Sequence, residues 1–264
     1  NHVLYVRDNA GRLAENRTEL VDVFNAGEGW SEPVAVWDDG TGDFAPQGAA
    51  LPDGTLLAVW ANGRAALTNG AALDEALAGL EIAAGERDPA TGVWTCRNLT
   101  ANGYLDHSPA LSAAADGSAM AAWIRNRDLN PTGTPQEPNR LLFSRRVGGV
   151  WEEEDYVAVN LGTVTYCDLA YNGTEATLVF SMDADGDLAT VDDQELYGCT
   201  FGGGQWGPYT RLTSNSLQDT RPYVRYDAGG EVLVVWYQEG RIVSATGLAL
   251  ADPVEAGEVG IGSG

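Results

Sequence analysis

An acidic segment at residues 183–195 carries the side chains with the clearest potential for chemistry. Aspartates stand at alternate positions at its start, and two further aspartates follow within the next six residues. Calcium takes six to eight oxygen ligands at about 2.4 Å, which carboxylates in such an alternation can supply. The segment therefore predicts a calcium loop of the kind found in extracellular β proteins, with a solvated acidic turn as the alternative. The candidate ligands are the side chains of Asp183, Asp185, Asp187, Asp192 and Asp193 and the backbone carbonyl of Ala189.

A weaker copy of this pattern occurs earlier in the chain. Asn126, Asp128 and Asn130 repeat the alternation, and Asn126 follows its preceding aromatic residue at the same offset as Asp183. Amide oxygens are poorer calcium ligands than carboxylates, and Arg127 adds an opposing charge. The segment is interpreted as a second, decayed metal site.

A third set of polar residues lies in three Asp-x-x-Pro motifs, at residues 43–46, 106–109 and 219–222. The predicted propeller geometry brings Asp43, Asp106 and Asp219 to one face, together with His107 and Arg221. Paired carboxylates about 5–9 Å apart can hydrolyse a glycosidic bond, so this face is a candidate ligand site. The competing interpretation is structural, because aspartate before a proline orders the turn at which a strand begins.

These motifs belong to an internal repeat. An Asp-Gly or Asn-Gly turn, or Gly229-Gly230 in the last copy, leads into an apolar run that ends in an aromatic residue, at intervals of 56 to 63 residues. Periods of this size indicate copies of one small structural unit. The four aromatic residues are Trp60, Trp123, Phe180 and Trp236.

Each copy predicts four antiparallel strands, and an apolar second strand indicates burial on both faces. The sequence thus predicts a single all-β domain over 1–264, a β-propeller of about five four-stranded blades, with the first and last incomplete. The predicted blades are 1–43, 44–106, 107–164, 165–219 and 220–250, followed by a tail at 251–264. An insertion at 68–84 predicts a short helix in the second blade, capped by Thr68 or Asn69, with Leu73, Leu77 and Leu80 facing the ring.

The repeated phrase Asp-x-x-Pro, Asp/Asn-Gly, Val-Val-Trp, Glu-Leu-Tyr, Gly-Gly-x-Trp resembles the sialidase-like, BNR or Asp-box type, β-propeller repeats of secreted bacterial proteins. Residues 87–94 keep the Asp, Gly and Trp of the Asp-box with altered spacing, and the other copies lose the Asp. The resemblance implies a propeller fold and an extracellular or cell-surface location. It transfers no catalytic residues, because the Arg, Tyr and Glu set of sialidases finds no matching motif here.

Composition limits the partners. The chain of 264 residues has a formal net charge of −23, and all fifteen of its basic residues are arginine. Such a charge repels nucleic acid and anionic membranes and attracts divalent cations. No apolar stretch approaches the ~20 residues that a membrane span requires.

Three functions follow from these observations. The first is a calcium-stabilised extracellular binding or scaffold module, without a transferable catalytic set, for a glycan or protein ligand or for neighbouring domains of a larger parent chain. The second is a propeller glycoside hydrolase of the sialidase-like kind. The third is an assembly unit of a salt-adapted cell surface.

Overall fold

The computed structural model describes residues 1–25, 27, 29–183, 185, 187, 189–250 and 253–255. Within them the chain forms five antiparallel sheets, one after another along the sequence. The first sheet contains β1 (His2–Asp8), β2 (Thr18–Phe24) and β3 (Val34–Ala35). The second contains β4 (Asp43–Ala50), β5 (Leu56–Gly63), β6 (Leu80–Arg87) and β7 (Trp94–Asn98).

The third and fourth sheets have a divided outer strand. The third contains β8 (Leu105–Ala113), β9 (Ala119–Asn126), β10 (Asn139–Val147), β11 (Val150–Trp151) and β12 (Asp155–Leu161). The fourth contains β13 (Thr163–Tyr171), β14 (Ala176–Asp183), β15 (Gln194–Gly202), β16 (Gln205–Trp206) and β17 (Thr210–Arg211). The fifth contains β18 (Asp219–Tyr226), β19 (Val232–Gln238), β20 (Arg241–Thr246) and β21 (Val254–Glu255), so two residues of the predicted tail at 251–264 pair with β20, while 251, 252 and 256–264 lie outside the described residues.

The second strand of each later sheet lies at the centre of the packing. Every residue of β9 and β14 is buried. The four repeated aromatic residues are at most 1% exposed, as the apolar character of these strands predicts. Apolar clusters join each sheet to the next one along the chain, so the repeats stack side by side.

The two terminal sheets each keep one exposed apolar face. Val3 and Tyr5 on the first sheet and Leu233 and Ile242 on the fifth are 37% to 58% exposed. No hydrogen bond or ion pair joins these two sheets within the described residues.

The insertion at 68–84 does form a helix, α1 (Leu73–Ala78), but two predicted details are wrong. The helix is capped by Ala72 without a side-chain bond, because the Ala71 N–H bonds to the Thr68 carbonyl in a turn that contains Gly70 at φ 87°. Leu73 is 71% exposed, and Leu80 belongs to β6.

A further finding is that no helix within the described ranges has the length and apolarity to cross a bilayer.

Candidate functional site

The three motif aspartates each bind the buried tryptophan of the same sheet. Each carboxylate is at most 1% exposed and accepts a hydrogen bond from the indole N–H seventeen residues later. Buried polar groups of this kind require partners, and here each satisfies the other. The pairs are Asp43 with Trp60 at 2.8 Å, Asp106 with Trp123 at 3.2 Å and Asp219 with Trp236 at 2.8 Å. This geometry matches the structural role of the aspartates and leaves none of them facing solvent.

The bulge next to each aspartate is shared as well. The residue two positions after the aspartate adopts a positive φ of 49° to 51° and precedes the motif proline. A left-handed conformation is rare for residues other than glycine, so the surrounding contacts must hold it in place. The three residues are Ala45, Ser108 and Arg221.

The fourth sheet replaces the whole arrangement with apolar residues. In the second, third and fifth sheets the motif aspartate pairs across the strands with a polar residue, which is Asn62, Arg125 and Gln238 respectively. In the fourth sheet the equivalent pair is Val164 and Met182, and Phe180 stands where the others have tryptophan. Since an indole N–H without an acceptor is costly when buried, loss of the carboxylate and loss of the indole go together.

Two carboxyl groups near the motif face are held in an environment that favours the proton. Burial raises the pKa of Asp43 to about 7, against hydrogen bonds from the Leu20 N–H and the Trp60 indole. Burial also raises the pKa of Glu81 to about 7, against bonds from the Thr100 hydroxyl and the Asn102 N–H. Near pH 6 the folded protein therefore holds protons that the unfolded chain has released.

We expect the free energy of unfolding to fall as the pH rises from 6 to 8. A carboxyl whose pKa is raised by folding stabilises the protein below that pKa and loses the contribution above it. The expected loss is about 1 kcal/mol for each group over two pH units. The measurement is urea unfolding at pH 6 and pH 8. Glu81→Gln should reduce the slope, because its amide oxygen can accept the Asn102 N–H while its NH2 group donates to the Thr100 hydroxyl. Stability that increases toward pH 8 would contradict the prediction.

His107 has a pH effect of the opposite sign. Burial lowers the pKa of His107 to about 4. Its Nδ1 lies 3.0 Å from the Ser108 hydroxyl, and its buried Nε2 has no hydrogen-bond partner within the described chain. A neutral histidine of this kind lowers stability as the pH falls through 6.5 toward 4, so between pH 6 and 7 it offsets part of the loss expected from the two carboxyls.

Arg221 lines a cavity between the fourth and fifth sheets, and the three aspartates are not among the residues of that lining. The cavity has a volume of about 710 Å³. The Arg221 guanidinium is exposed and forms no hydrogen bond or ion pair within the described residues. The rings of Tyr166 and Tyr223 meet beside it with centroids 5.9 Å apart. The full lining consists of Thr165, Tyr166, Gln194, Gln218, Thr220, Arg221, Tyr223 and Tyr237.

An unpaired guanidinium is unusual in this protein. Within the described residues, eleven of the fifteen arginines form an ion pair with a carboxylate. A chain with so many acidic side chains offers partners almost everywhere on its surface. Arg221 therefore presents a positive charge and five N–H donors to whatever enters the cavity. A planar guanidinium in this position is suited to a carboxylate.

The sequence indicated Arg221 but missed the rest of this cavity. Tyr166 follows the degenerate copy of the motif, and Tyr223 follows the proline of the next one. Gln194 and Gln218 are joined across the sheets by a hydrogen bond of 2.9 Å. The only available signal was the loss of the Asp-x-x-Pro pattern near residue 164, which marks this sheet as different from its neighbours.

The acidic segment brings three of its predicted ligands together. Carboxylate oxygens of Asp183, Asp185 and Asp193 lie within 4.8 Å of one another. Two oxygens on opposite sides of a calcium ion are about 5 Å apart at most, so this spacing fits the ion. Buried Oδ1 of Asp193 has no hydrogen-bond partner among the described residues, which leaves it able to act as a ligand.

The remaining predicted ligands lie outside that group. Asp187 accepts the Ala189 N–H at 3.1 Å, and the Asp187 N–H bonds to Asp185 at 2.8 Å, so local turns order this part of the loop. Asp192 is exposed. Residues 184, 186 and 188 lie outside the described part of the chain.

The weaker metal pattern folds in a different way. The Asn126 amide oxygen accepts the N–H groups of Asp128 and Asn130, at 2.9 and 3.0 Å. The Asn130 oxygen in turn accepts the Thr132 N–H at 3.1 Å. Both amide oxygens thus shape the loop itself, and the exposed Asp128 carboxylate is the one side chain of the three left for an ion.

No protein-family model and none of the curated proteins matches the sequence. Solved structures do match in fold. A protein of unknown function from Dyadobacter fermentans has a TM-score of 0.61 at 15% identity, over 90% of this chain and 72% of that one. An α-L-arabinanase from Penicillium chrysogenum, solved with arabinobiose, has a TM-score of 0.52 at 16% identity, over 81% and 66%. A Hadza microbial sialidase has a TM-score of 0.59 at 15% identity, over 96% and 54%.

The arabinanase and the sialidase are β-propeller enzymes, and the likeness shows that this chain has the propeller type of fold. At such low identity it shows the fold alone. The chain also spans less than two thirds of the sialidase and about two thirds of the arabinanase. The resemblance predicted from the repeats is thus confirmed at the level of the fold, while no sequence match supports Asp-box repeats.

Proposed function

We propose that this chain is an extracellular or cell-surface carbohydrate-binding β-propeller, and that its ligand is a glycan carrying a carboxylate. The observation that carries the proposal is the unpaired guanidinium of Arg221 in the cavity between the fourth and fifth sheets. Charge-assisted, bidentate hydrogen bonds make arginine the preferred partner of a carboxylate. The rings of Tyr166 and Tyr223 supply flat apolar surface for the C–H face of a sugar, and the glutamines supply donors and acceptors for hydroxyls.

Calcium at the acidic loop would support this cavity from one side. Asp193 precedes Gln194, which lines the cavity and accepts the hydrogen bond from Gln218. An ion held by Asp183, Asp185 and Asp193 would fix the start of β15 and hence the position of Gln194. Extracellular modules bind calcium with dissociation constants of about 10⁻⁴–10⁻³ M, which suits the proposed location.

We further propose that the five sheets are five blades of one propeller that extends over 1–264. Each of the last four begins with an inner strand, while the first sheet corresponds to the second, third and fourth strands of a blade. The terminal sheets would meet each other or neighbouring domains of a larger parent chain through their exposed apolar faces.

A glycoside hydrolase is the second candidate, favoured by the fold that the chain shares with an arabinanase and a sialidase. Against it, no carboxylate is among the residues that line the Arg221 cavity in the described chain. Asp43, Asp106 and Asp219 are buried against tryptophans and do not offer the accessible pair that hydrolysis requires. Turnover of chromogenic arabinosides or sialosides by the wild-type chain would support this second function over binding alone.

The binding proposal is tested by titrating carboxylated oligosaccharides, such as tetragalacturonate, with the methyl ester of the same oligosaccharide as the neutral probe. We expect saturable binding of a carboxylated glycan that weakens about 10- to 100-fold in Arg221→Ala, because a hydrogen bond to a charged group contributes about 1.5–3 kcal/mol. Arg97→Ala is the matched control, since Arg97 is also exposed and unpaired within the described chain but lies on the second sheet.

Two results would count against the proposal. One is equal affinity of wild type and Arg221→Ala for the carboxylated ligand. The other is the absence of binding by wild type across an array that contains both carboxylated and neutral glycans.

A further inference from the structure

The helical insertion encloses a second, apolar cavity that the proposed function does not use. It lies where α1 meets the start of β4 and β6, at the junction of the first two sheets, and has a volume of about 240 Å³. Within the described residues, the second sheet alone has an α-helix between its second and third strands, so the repeats alone do not require this space. Its apolar lining consists of Phe44, Ala65, Leu67, Ala76, Leu77 and Leu80.

Hydrogen bonds within the chain hold the walls of this helix cavity in place. The buried side-chain amide of Asn16 donates to the Leu67 carbonyl at 2.7 Å and accepts the Leu67 N–H at 2.9 Å. The Arg64 N–H bonds to the Gly79 carbonyl at 2.6 Å, which ties the end of β5 to the end of α1. Two chain segments are thus held at opposite sides of the space, so the cavity is preformed.

Glycines allow the chain segments around the cavity to pack closely against one another. Gly42, Gly63 and Gly79 all line the cavity. A Cβ at Gly42 would lie only 2.9 Å from the Glu15 carbonyl and 3.0 Å from the Phe44 ring. Phe44 is 40% exposed and the lining leucines are half-buried, so apolar surface remains in contact with water. Covering that surface is favourable in proportion to its area.

We propose that the helix cavity binds a small, uncharged aromatic molecule of about the size of indole. The lining is almost wholly apolar, so a hydroxylated sugar or a charged group would lose its hydrogen bonds to water without replacement. A dry cavity of about 150 Å³ lined by leucine, isoleucine and phenylalanine already accepts benzene, and this space is larger. The two charged residues of the lining, Glu15 and Arg64, are exposed and of opposite sign, and the Arg64 guanidinium donates to the Asn102 carbonyl at 3.0 Å, so apolar surface and not charge sets the preference of this site.

The test is a titration of the chain with indole, followed by saturation-transfer NMR, with indole-3-acetate as the charged counterpart. We expect saturable binding of indole and at least tenfold weaker binding of the acetate. Ala76→Leu fills the cavity from the helix and should weaken indole binding at least tenfold. Ala78→Leu makes the same change two residues later, outside the lining, and should leave the affinity within about twofold of wild type.

Leu77→Ala keeps the test decisive if the filled variant does not fold. It enlarges the cavity, so indole should still bind and naphthalene should gain affinity. The proposal is overturned if wild type shows no saturable binding up to the solubility limit of indole, if a folded Ala76→Leu variant binds as wild type does, or if Leu77→Ala abolishes binding while the fold is intact.

Discussion

Replacing Asp106 with alanine is expected to destabilise the protein by about 3–5 kcal/mol, the cost typical of leaving one partner of a buried ion pair alone. Its carboxylate is fully buried and accepts two hydrogen bonds from the guanidinium of Arg125, at 2.6 and 2.8 Å. It also accepts the indole N–H of Trp123 and the side-chain amide of Asn102. Without Asp106, the Arg125 guanidinium, which is 4% exposed, keeps Glu154 as its one carboxylate partner within the described residues. The measurement is chemical unfolding of the variant and wild type at one pH.

The fourth sheet supplies the control for this prediction. There the equivalent positions are Val164, Phe180 and Met182, all buried and apolar. The triple variant Asp106→Val, Trp123→Phe, Arg125→Met transfers that set to the third sheet, and we expect it to recover much of the lost stability. Exchange of a buried ion pair for apolar residues of similar volume is often neutral. An Asp106→Ala variant as stable as wild type would show that the Asp106 carboxylate is not needed as an acceptor for Arg125 and Trp123.

The fold was predictable because its signal is written several times. One copy of the motif predicts a hairpin only weakly. Several copies, each with an aromatic residue such as Trp60, Trp123 or Trp236 at the end of the same apolar strand, predict that these side chains are buried in equivalent places. Apolar strands with turn residues at both ends leave few other arrangements. The helix at 68–84 was harder, because Gly70 forms a turn that shifts the helix start to Leu73, and this depends on a bond between Thr68 and Ala71.

The sequence could predict a candidate site only where a residue's chemical role can be told apart from its role in the repeated fold. The sequence placed Asp43, Asp106 and Asp219 on one face, but not their partners, which are tryptophans on a neighbouring strand. Repetition itself was the clue, since a residue present in most copies serves the fold. The Arg221 cavity combines residues from two sheets that are more than fifty positions apart, such as Tyr166 and Tyr223, and no local pattern connects them.

Calcium is expected to raise the melting temperature of protein previously treated with a chelator by about 3–11 °C. With a dissociation constant of about 10⁻⁴–10⁻³ M, 10 mM calcium would stabilise the folded state by about 1.4–2.7 kcal/mol. For a domain of this size each kcal/mol corresponds to about 2–4 °C. The measurement is thermal melting with excess chelator and with added calcium, at constant ionic strength.

Variants show whether such a response comes from the acidic loop. Asp193→Asn removes a carboxylate of the cluster and should abolish most of the calcium effect. Asp128→Asn is the control for removal of one exposed carboxylate, because Asp128 holds the place of Asp185 in the weaker loop of the third sheet and the bonds of that loop come from Asn126 and Asn130. An identical melting temperature with chelator and with calcium would instead identify residues 183–193 as a solvated turn. A melting temperature that rises with sodium chloride and ignores calcium would favour the salt-adapted assembly unit, in which charge screening rather than a bound ion supports the fold.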